Sequence, residues 1–213
     1  MPTDRKQSDH KKIVIGITGG AGAGKSTIVN HVMENFDCEF INTDIVAHEL
    51  MEPGKANYKA LLKEYGADIL DPDNMPYISR PRLLRKVSET GDFEKLNAIT
   101  HPNVIKRSKK IIKDTDKKIV MVEAALLLEA GMDKICDDVW FVTAPLKDRI
   151  RRMKETRGYT DERIEAMLSN QLSEEEFEAR TGFTINNPDG SDEGMATAVS
   201  RIKELLDVSR KNK

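Results

Sequence analysis

The sequence predicts an α/β fold in three layers, a parallel sheet between two layers of helix. Three observations carry this. Runs such as Ile13-Val-Ile-Gly-Ile17 and Lys118-Ile-Val-Met-Val-Glu123 are apolar almost throughout, as strands buried on both faces must be. Segments with helical spacing separate them, the alternation of a parallel sheet. Between the first strand and the helical run Thr27 to Met33 stands Gly19-x-x-x-x-Gly24-Lys25-Ser26, a P-loop pattern in the strand-loop-helix setting it requires.

Length and composition fit this class. The chain has 213 residues, 38% hydrophobic and 33% charged, enough for one α/β unit with inserted subregions and an ample core. A formal net charge of -2 provides no field that would favour nucleic acid. The basic run Lys106 to Lys118 is interleaved with Ile111, Ile112, Asp114 and Asp116, so it reads as a solvated helix rather than a nucleic-acid surface. Cys38 and Cys136 lie far apart in no ligand-spaced cluster and read as reduced, buried thiols, which suits a cytoplasmic protein. No apolar run approaches the length of a membrane span, and the first twelve residues are polar rather than signal-like. A monomer without nucleic-acid or membrane partners is expected.

Taken in order, residues 1–12 are charged and aperiodic and read as a disordered arm. Glu39-Phe-Ile41 is a short strand leading into Asn42-Thr43-Asp44. A helix over Ile45–Met51 follows, capped by Asp44 or Thr43, and Glu52-Pro-Gly54 breaks it. Tyr58–Tyr65 forms a second helix closed by Gly66, and the two prolines and two aspartates of Asp71–Tyr77 make a loop. Pro81 suits the first position of a helix that begins Pro81–Arg85. Phe93–Thr100 and Asn103–Ile112 read as two helices with His101-Pro102 between them. Residues 45–113 are therefore a helical insertion without a strand. Strands Lys118–Glu123 and Asp138–Thr143, an arginine-rich helix Leu146–Arg157, a helix starting near Thr160 and running through Leu168 and Gln171, a last strand Phe183–Ile185, and a helix of about Met195–Val208 complete the chain, with Ser209–Lys213 frayed.

The loop's chemistry is the handling of phosphate charge. Small residues let backbone N–H groups of Gly22 to Thr27 close around phosphate oxygens, and the helix start adds its positive dipole end. Lys25 can reach the β- and γ-phosphates, and Ser26 offers a hydroxyl to Mg²⁺. Three classes share such a loop: small-molecule kinases, GTPase switches, and ATPase motors or transporter subunits. No Asn-Lys-x-Asp or Asp-x-x-Gly occurs to support a GTPase, and no Ser-Gly-Gly signature to support a transporter ATPase. An acidic residue after the second strand, a helical insertion and a late arginine-rich helix are the acceptor base, acceptor pocket and lid of a small-molecule kinase, whose catalysis is mostly positioning and charge neutralisation.

Further landmarks sharpen this. They are Thr18-Gly-Gly-Ala-Gly-Ala-Gly-Lys-Ser-Thr27, Asp44-Ile-Val-Ala47, Glu52-Pro-Gly54, Tyr65-Gly-Ala-Asp-Ile-Leu70, Leu96-Asn-Ala-Ile-Thr-His-Pro102, Leu126-Leu-Leu-Glu129, Gln171 and Asn186-Asn187. From Ile13 to Leu206 the chain resembles the dephospho-CoA kinase family, which phosphorylates the ribose 3′-hydroxyl of dephospho-CoA in the last step of coenzyme A synthesis. The resemblance implies a P-loop kinase core at 13–44, 114–147 and 182–208, an acceptor-binding insertion at 45–113 and a lid at 148–181, with ATP and Mg²⁺ as co-reactants. Another small-molecule or nucleoside monophosphate kinase, and an ATP-binding regulatory protein without transfer activity, are the alternative readings.

Residue by residue, the resemblance makes Asp44 the acceptor-site carboxylate that takes or orients the 3′-hydroxyl proton, against a plain N-cap. Glu123 would hold Mg²⁺ or its water together with Ser26, against a solvated strand end. ATP would be held by Gly19, Gly20, Ala21, Gly22, Ala23, Gly24, Lys25, Ser26, Thr27, Arg149 and Asn187, with turn chemistry the other account of Asn187. Arg152 and Arg157 would join Asp44 and Lys25 in catalysis, against an exposed helix face, with Arg157 the leading choice. Thr18, Asp44, Arg82, Arg85, His101 and Leu126 would meet the acceptor, against surface arginines and a core-facing histidine. The chain departs from the family pattern in Asn42 where a second aspartate is common, Ala125 where proline is usual before Leu-Leu, and His48 in place of an arginine. The lid helix looks one residue longer between Arg152 and Arg157, and Pro188 interrupts the usual Asn-Gly turn.

Overall fold

Strands β1 (Ile13–Thr18), β2 (Cys38–Asn42), β3 (Ile119–Glu123), β4 (Asp138–Thr143) and β5 (Phe183–Asn186) pair in the order β2-β3-β1-β4-β5, and all pairings are parallel. The computed structural model describes residues 12–169, 171–189 and 191–211. The arm expected at 1–12 lies outside them apart from Lys12, whose ammonium donates to the carbonyls of Ile112 and Lys113 at 2.8 Å each.

The period of two sorts each strand between the layers. Ile13, Ile15 and Ile17 of β1, Ile119 and Met121 of β3, and Trp140 and Val142 of β4 point to one face, into a core shared with Ile28, Val29 and Val32 of α1 (Lys25–Asn35). Ala198 and Ile202 from the last helix, Glu193–Lys211, close that core. Val14, Val120, Val122 and Phe141 point to the other face and meet Val46, Val104, Leu127 and Phe177. Gly16 belongs to this second row: a Cβ there would lie 2.9 Å from both Cys136 Sγ and Leu127 Cδ1. Burial pushes the Cys136 thiol up to about 12, so it stays protonated, and both cysteines are free and half-buried.

Between β2 and β3 run α2 (Thr43–Glu49), α3 (Ala56–Tyr65), α4 (Arg80–Thr90) and α5 (Phe93–Asp114). Leu61, Tyr65, Ile69, Leu83 and Val87 give α3 and α4 a small core of their own. Two expectations are corrected here. The cap of α2 is Asn42, whose side chain accepts from the N–H groups of Asp44 and Ile45, so Asp44 lies inside the first turn. The two helices expected around His101-Pro102 are one, with Pro102 inside it. Pro102 removes a single N–H, and burial of Val104 and Ser108 on the same helix outweighs that loss. The Asn103 side-chain amide also donates to Ile99 O, 3.2 Å away.

After β4 come α6 (Leu146–Arg157), α7 (Asp161–Ser169), α8 (Glu174–Arg180) and, after β5, α9 (Glu193–Lys211). Helix α8 was not foreseen. Its start is a capping box, Ser173 accepting from Glu176 N–H and Glu176 accepting from Ser173 N–H. Phe177 then stacks on Phe141 with centroids 4.7 Å apart. The end expected to fray from Ser209 is helical through Lys211.

Candidate active site

A parallel sheet delivers the carboxyl ends of its strands to one edge, where ligands of open α/β folds bind. Thr18, Asn42, Glu123 and Thr143 end their strands there, and Asn42 is in register with Glu123. A cavity of about 490 Å³ opens over this edge. The glycine loop, Lys25, Ser26 and Thr27 line its floor, with Asp44, Glu123 and Leu126 on one side. Arg152, Arg157 and Gln171 line the other. A second cavity of about 200 Å³ lies beside α5 and is lined by His101, Thr100, Val104 and Met132. Asp44, Ala124, Ala125 and Leu126 line both.

The loop is held from behind. Arg152 donates to the carbonyls of Gly22 and Ala23 (3.2 Å each) and of Asn187 (2.7 Å), while Asp189 accepts from its Nε at 2.8 Å. Asn187 donates to Ala23 O at 3.0 Å, and Arg149 Nε donates to Ala21 O at 3.0 Å. Carbonyls tied backward leave the first-turn N–H groups, Lys25 to Thr27, aimed at the cavity, an anion site by orientation and dipole. Close approach explains the glycines. A Cβ at Gly22, where φ is +76°, would lie 2.5 Å from Arg149 O, and one at Gly19 2.1 Å from Val142 O.

Lys25 donates to Gly19 O (2.6 Å) and Gly20 O (3.1 Å). Burial pushes its ammonium down to about 8, with Glu123 pulling upward and Arg157 and Arg149 adding to the depression. Ser26 Oγ donates to Glu123 Oε1 at 3.3 Å. That juxtaposition of a hydroxyl and a carboxylate is an oxygen donor pair suited to a hard divalent cation.

The remaining expected residues divide. Leu126 is exposed on the shared wall, whereas Thr18 is fully buried and its Oγ1 has no hydrogen-bond partner among the described residues. Arg149, expected to hold ATP, is buried behind the loop and ion-paired to Glu174, so the exposed helix face that was the other account of it does not apply. Arg82 and Arg85 line neither cavity: Arg82 points to Asp68 O at 3.4 Å, and Arg85 pairs with Glu89 one helical turn on. Arg157 has no hydrogen bond or ion pair among the described residues; its guanidinium lies 6.0 Å from the Tyr159 ring. Gln171 and Glu129 line the larger cavity without having been foreseen as site residues. Both stood inside quoted landmarks, but a lone polar residue between helices has no periodic signal.

Burial depresses the His101 imidazole below its ordinary 6.5, and Glu129 opposes that only in part. The unfolded chain therefore binds the proton more readily, so the stability His101 contributes is present above about pH 6.5 and lost as pH falls through the depressed value. Thermal unfolding from pH 7.5 to 5 should accordingly show a smaller melting-point loss for His101→Gln than for the unsubstituted protein. Parallel curves would rule the effect out.

This sheet order, loop and flanking helices define the class: a P-loop kinase of α/β architecture. The dephospho-CoA kinase family model matches residues 13–193. A dephospho-CoA kinase of Moorella thermoacetica is 38% identical over 145 residues, 66% of this chain and 67% of that one. Its counterpart in Geobacter metallireducens is 32% identical over 199 residues, covering 92% and 98%. The solved structure of TT1252 from Thermus thermophilus superposes with a TM-score of 0.77 at 27% identity, over 92% of this chain and 98% of that one. The chain belongs to the dephospho-CoA kinase family, enzymes of ATP-dependent phosphorylation of dephospho-CoA in coenzyme A biosynthesis.

Proposed function

We propose that ATP occupies the larger cavity with its phosphates on the glycine loop, and that its γ-phosphoryl passes to the ribose 3′-hydroxyl of dephospho-CoA, whose acceptor end enters from the smaller cavity. The observation that carries this is the position of Asp44, on the wall common to both cavities. A hydroxyl brought from the second cavity toward phosphates in the first must pass this carboxylate, which is placed to take or orient its proton. Asn42 already caps α2, leaving the Asp44 side chain unoccupied by that duty.

Lys25 would leave its own loop carbonyls for the β- and γ-phosphates, whose negative charge favours its ammonium form. Ser26 and Glu123 would hold Mg²⁺, which would supply neutralisation of the phosphate charge. Arg157 is the arginine on the cavity wall whose donors are free to meet a transferring phosphoryl group. Arg149 and Arg152 would act by fixing the loop, since their nitrogens already serve backbone carbonyls, Gln171 and Asp189. The segment 148–181 carries Arg157 and Gln171 and is the candidate lid that excludes water. His101 and Leu126 belong to the acceptor side; Arg82 and Arg85 would act only on a distal part of the acceptor.

ADP release by the purified protein with ATP and Mg²⁺ tests this, with dephospho-CoA, AMP, CMP and adenosine offered in parallel. Turnover with dephospho-CoA alone, giving CoA, is expected. Preference for a nucleoside monophosphate would overturn the acceptor assignment while leaving the phosphate site standing.

A further inference from the structure

The backbone of Ala21, at the tip of the glycine loop, is gripped through both its N–H and its carbonyl by the segment that follows β4. Its N–H donates to Gln171 Oε1 at 3.3 Å, and its carbonyl accepts from Arg149 Nε at 3.0 Å. The same Gln171 oxygen accepts from Arg149 Nη2 at 3.0 Å, closing a three-membered ring of contacts among loop, α6 and the α7–α8 connection. The grip is close. A Cβ on Gly20 would lie 2.0 Å from Arg149 Nη2 and 2.8 Å from Gln171 Oε1. Ala21 and Gln171 line the larger cavity and Arg149 is buried behind them, so the ring backs the wall that would face the phosphates.

We propose that Gln171 is a positioning residue for nucleotide binding. Its uncharged carbonyl pins the loop tip to Arg149 and sets the loop's shape before the triphosphate arrives. Two properties matter, acceptor geometry and neutrality. A carbonyl oxygen satisfies the amide and the guanidinium together, and a preset loop lowers the ordering that binding must otherwise impose. A carboxylate would satisfy the same two donors, more strongly toward Arg149, but would add a negative charge to the wall of an anion site. The inference rests on placing ATP in the larger cavity.

Isothermal titration of Mg·ATP into the full-length protein without acceptor separates the two readings. Saturable binding by the unsubstituted protein is required by the nucleotide assignment, and its absence would overturn that assignment. Gln171→Ala should weaken binding about tenfold, the effect of one lost hydrogen bond in a preset loop. Gln171→Glu should weaken it at least as much at low salt, with the deficit shrinking as ionic strength rises. Its melting temperature should stay at or above that of Gln171→Ala, and the KM for dephospho-CoA should not move. A purely structural glutamine would instead be rescued by glutamate in both stability and ATP affinity. Unchanged affinity in both variants, or a Gln171→Glu deficit indifferent to salt, overturns the proposal.

Discussion

Replacing Asp44 by alanine should lower kcat with dephospho-CoA by about 10²–10⁴-fold, the range a positioned general base contributes, while ATP affinity stays nearly unchanged. The expectation depends on where the carboxylate sits. Asp44 is exposed, on the wall shared by the two cavities, and the residue that caps its helix is Asn42. Removing the side chain therefore leaves both cap hydrogen bonds, at 3.0 and 3.1 Å, in place. What the fold loses is one acid in a first helical turn, worth about 0.3–1 kcal/mol. Loss of turnover cannot then be attributed to unfolding. Single-turnover kinetics with saturating ATP would measure it, and a rate within tenfold of the unsubstituted enzyme would remove Asp44 from the chemistry.

What the sequence made legible follows from how local its signals are. The loop motif and β1, β3 and β4 were readable because glycine spacing and continuous apolar runs are determined within a few residues. Helix α6 was readable as the arginine-rich run Leu146–Arg157, and its bounds are those the structure has. Pro102 misled because its local cost is small beside the tertiary burial along α5, which no window of sequence contains. The cap of α2 was assigned one or two residues late, since Asn42, Thr43 and Asp44 are all competent caps and only the backbone decides among them. The arginines show the same boundary. Arg149, Arg152 and Arg157 lie on one helix with equivalent local context, yet one is buried behind the loop, one is tied to Asp189, and one faces the cavity. The difference comes from Ala21, Gly22, Asn187 and Asp189, residues far away in the chain.

That division among the arginines makes Arg157 the more informative target. Arg157→Ala should reduce kcat on the order of 10²–10³-fold, the cost of removing one preorganised donor from a developing charge. Its melting temperature should fall only slightly, because no hydrogen bond or ion pair among the described residues is broken and one base in the last turn of α6 is worth about 0.3–1 kcal/mol. Arg152→Ala differs in kind. It removes donors to Gly22, Ala23 and Asn187 carbonyls and leaves Asp189 with Arg151, so lowered stability and weakened ATP binding should come together. Arg157→Lys should recover part of the lost rate, since lysine restores the charge but not the planar fork. Rate, melting temperature and ATP affinity measured on these three variants distinguish a residue that meets the phosphoryl group from one that holds the loop. If Arg157→Ala turns over within a few-fold of the unsubstituted enzyme, the transferring charge is met by Lys25 and the loop alone, and α6 serves only as scaffold.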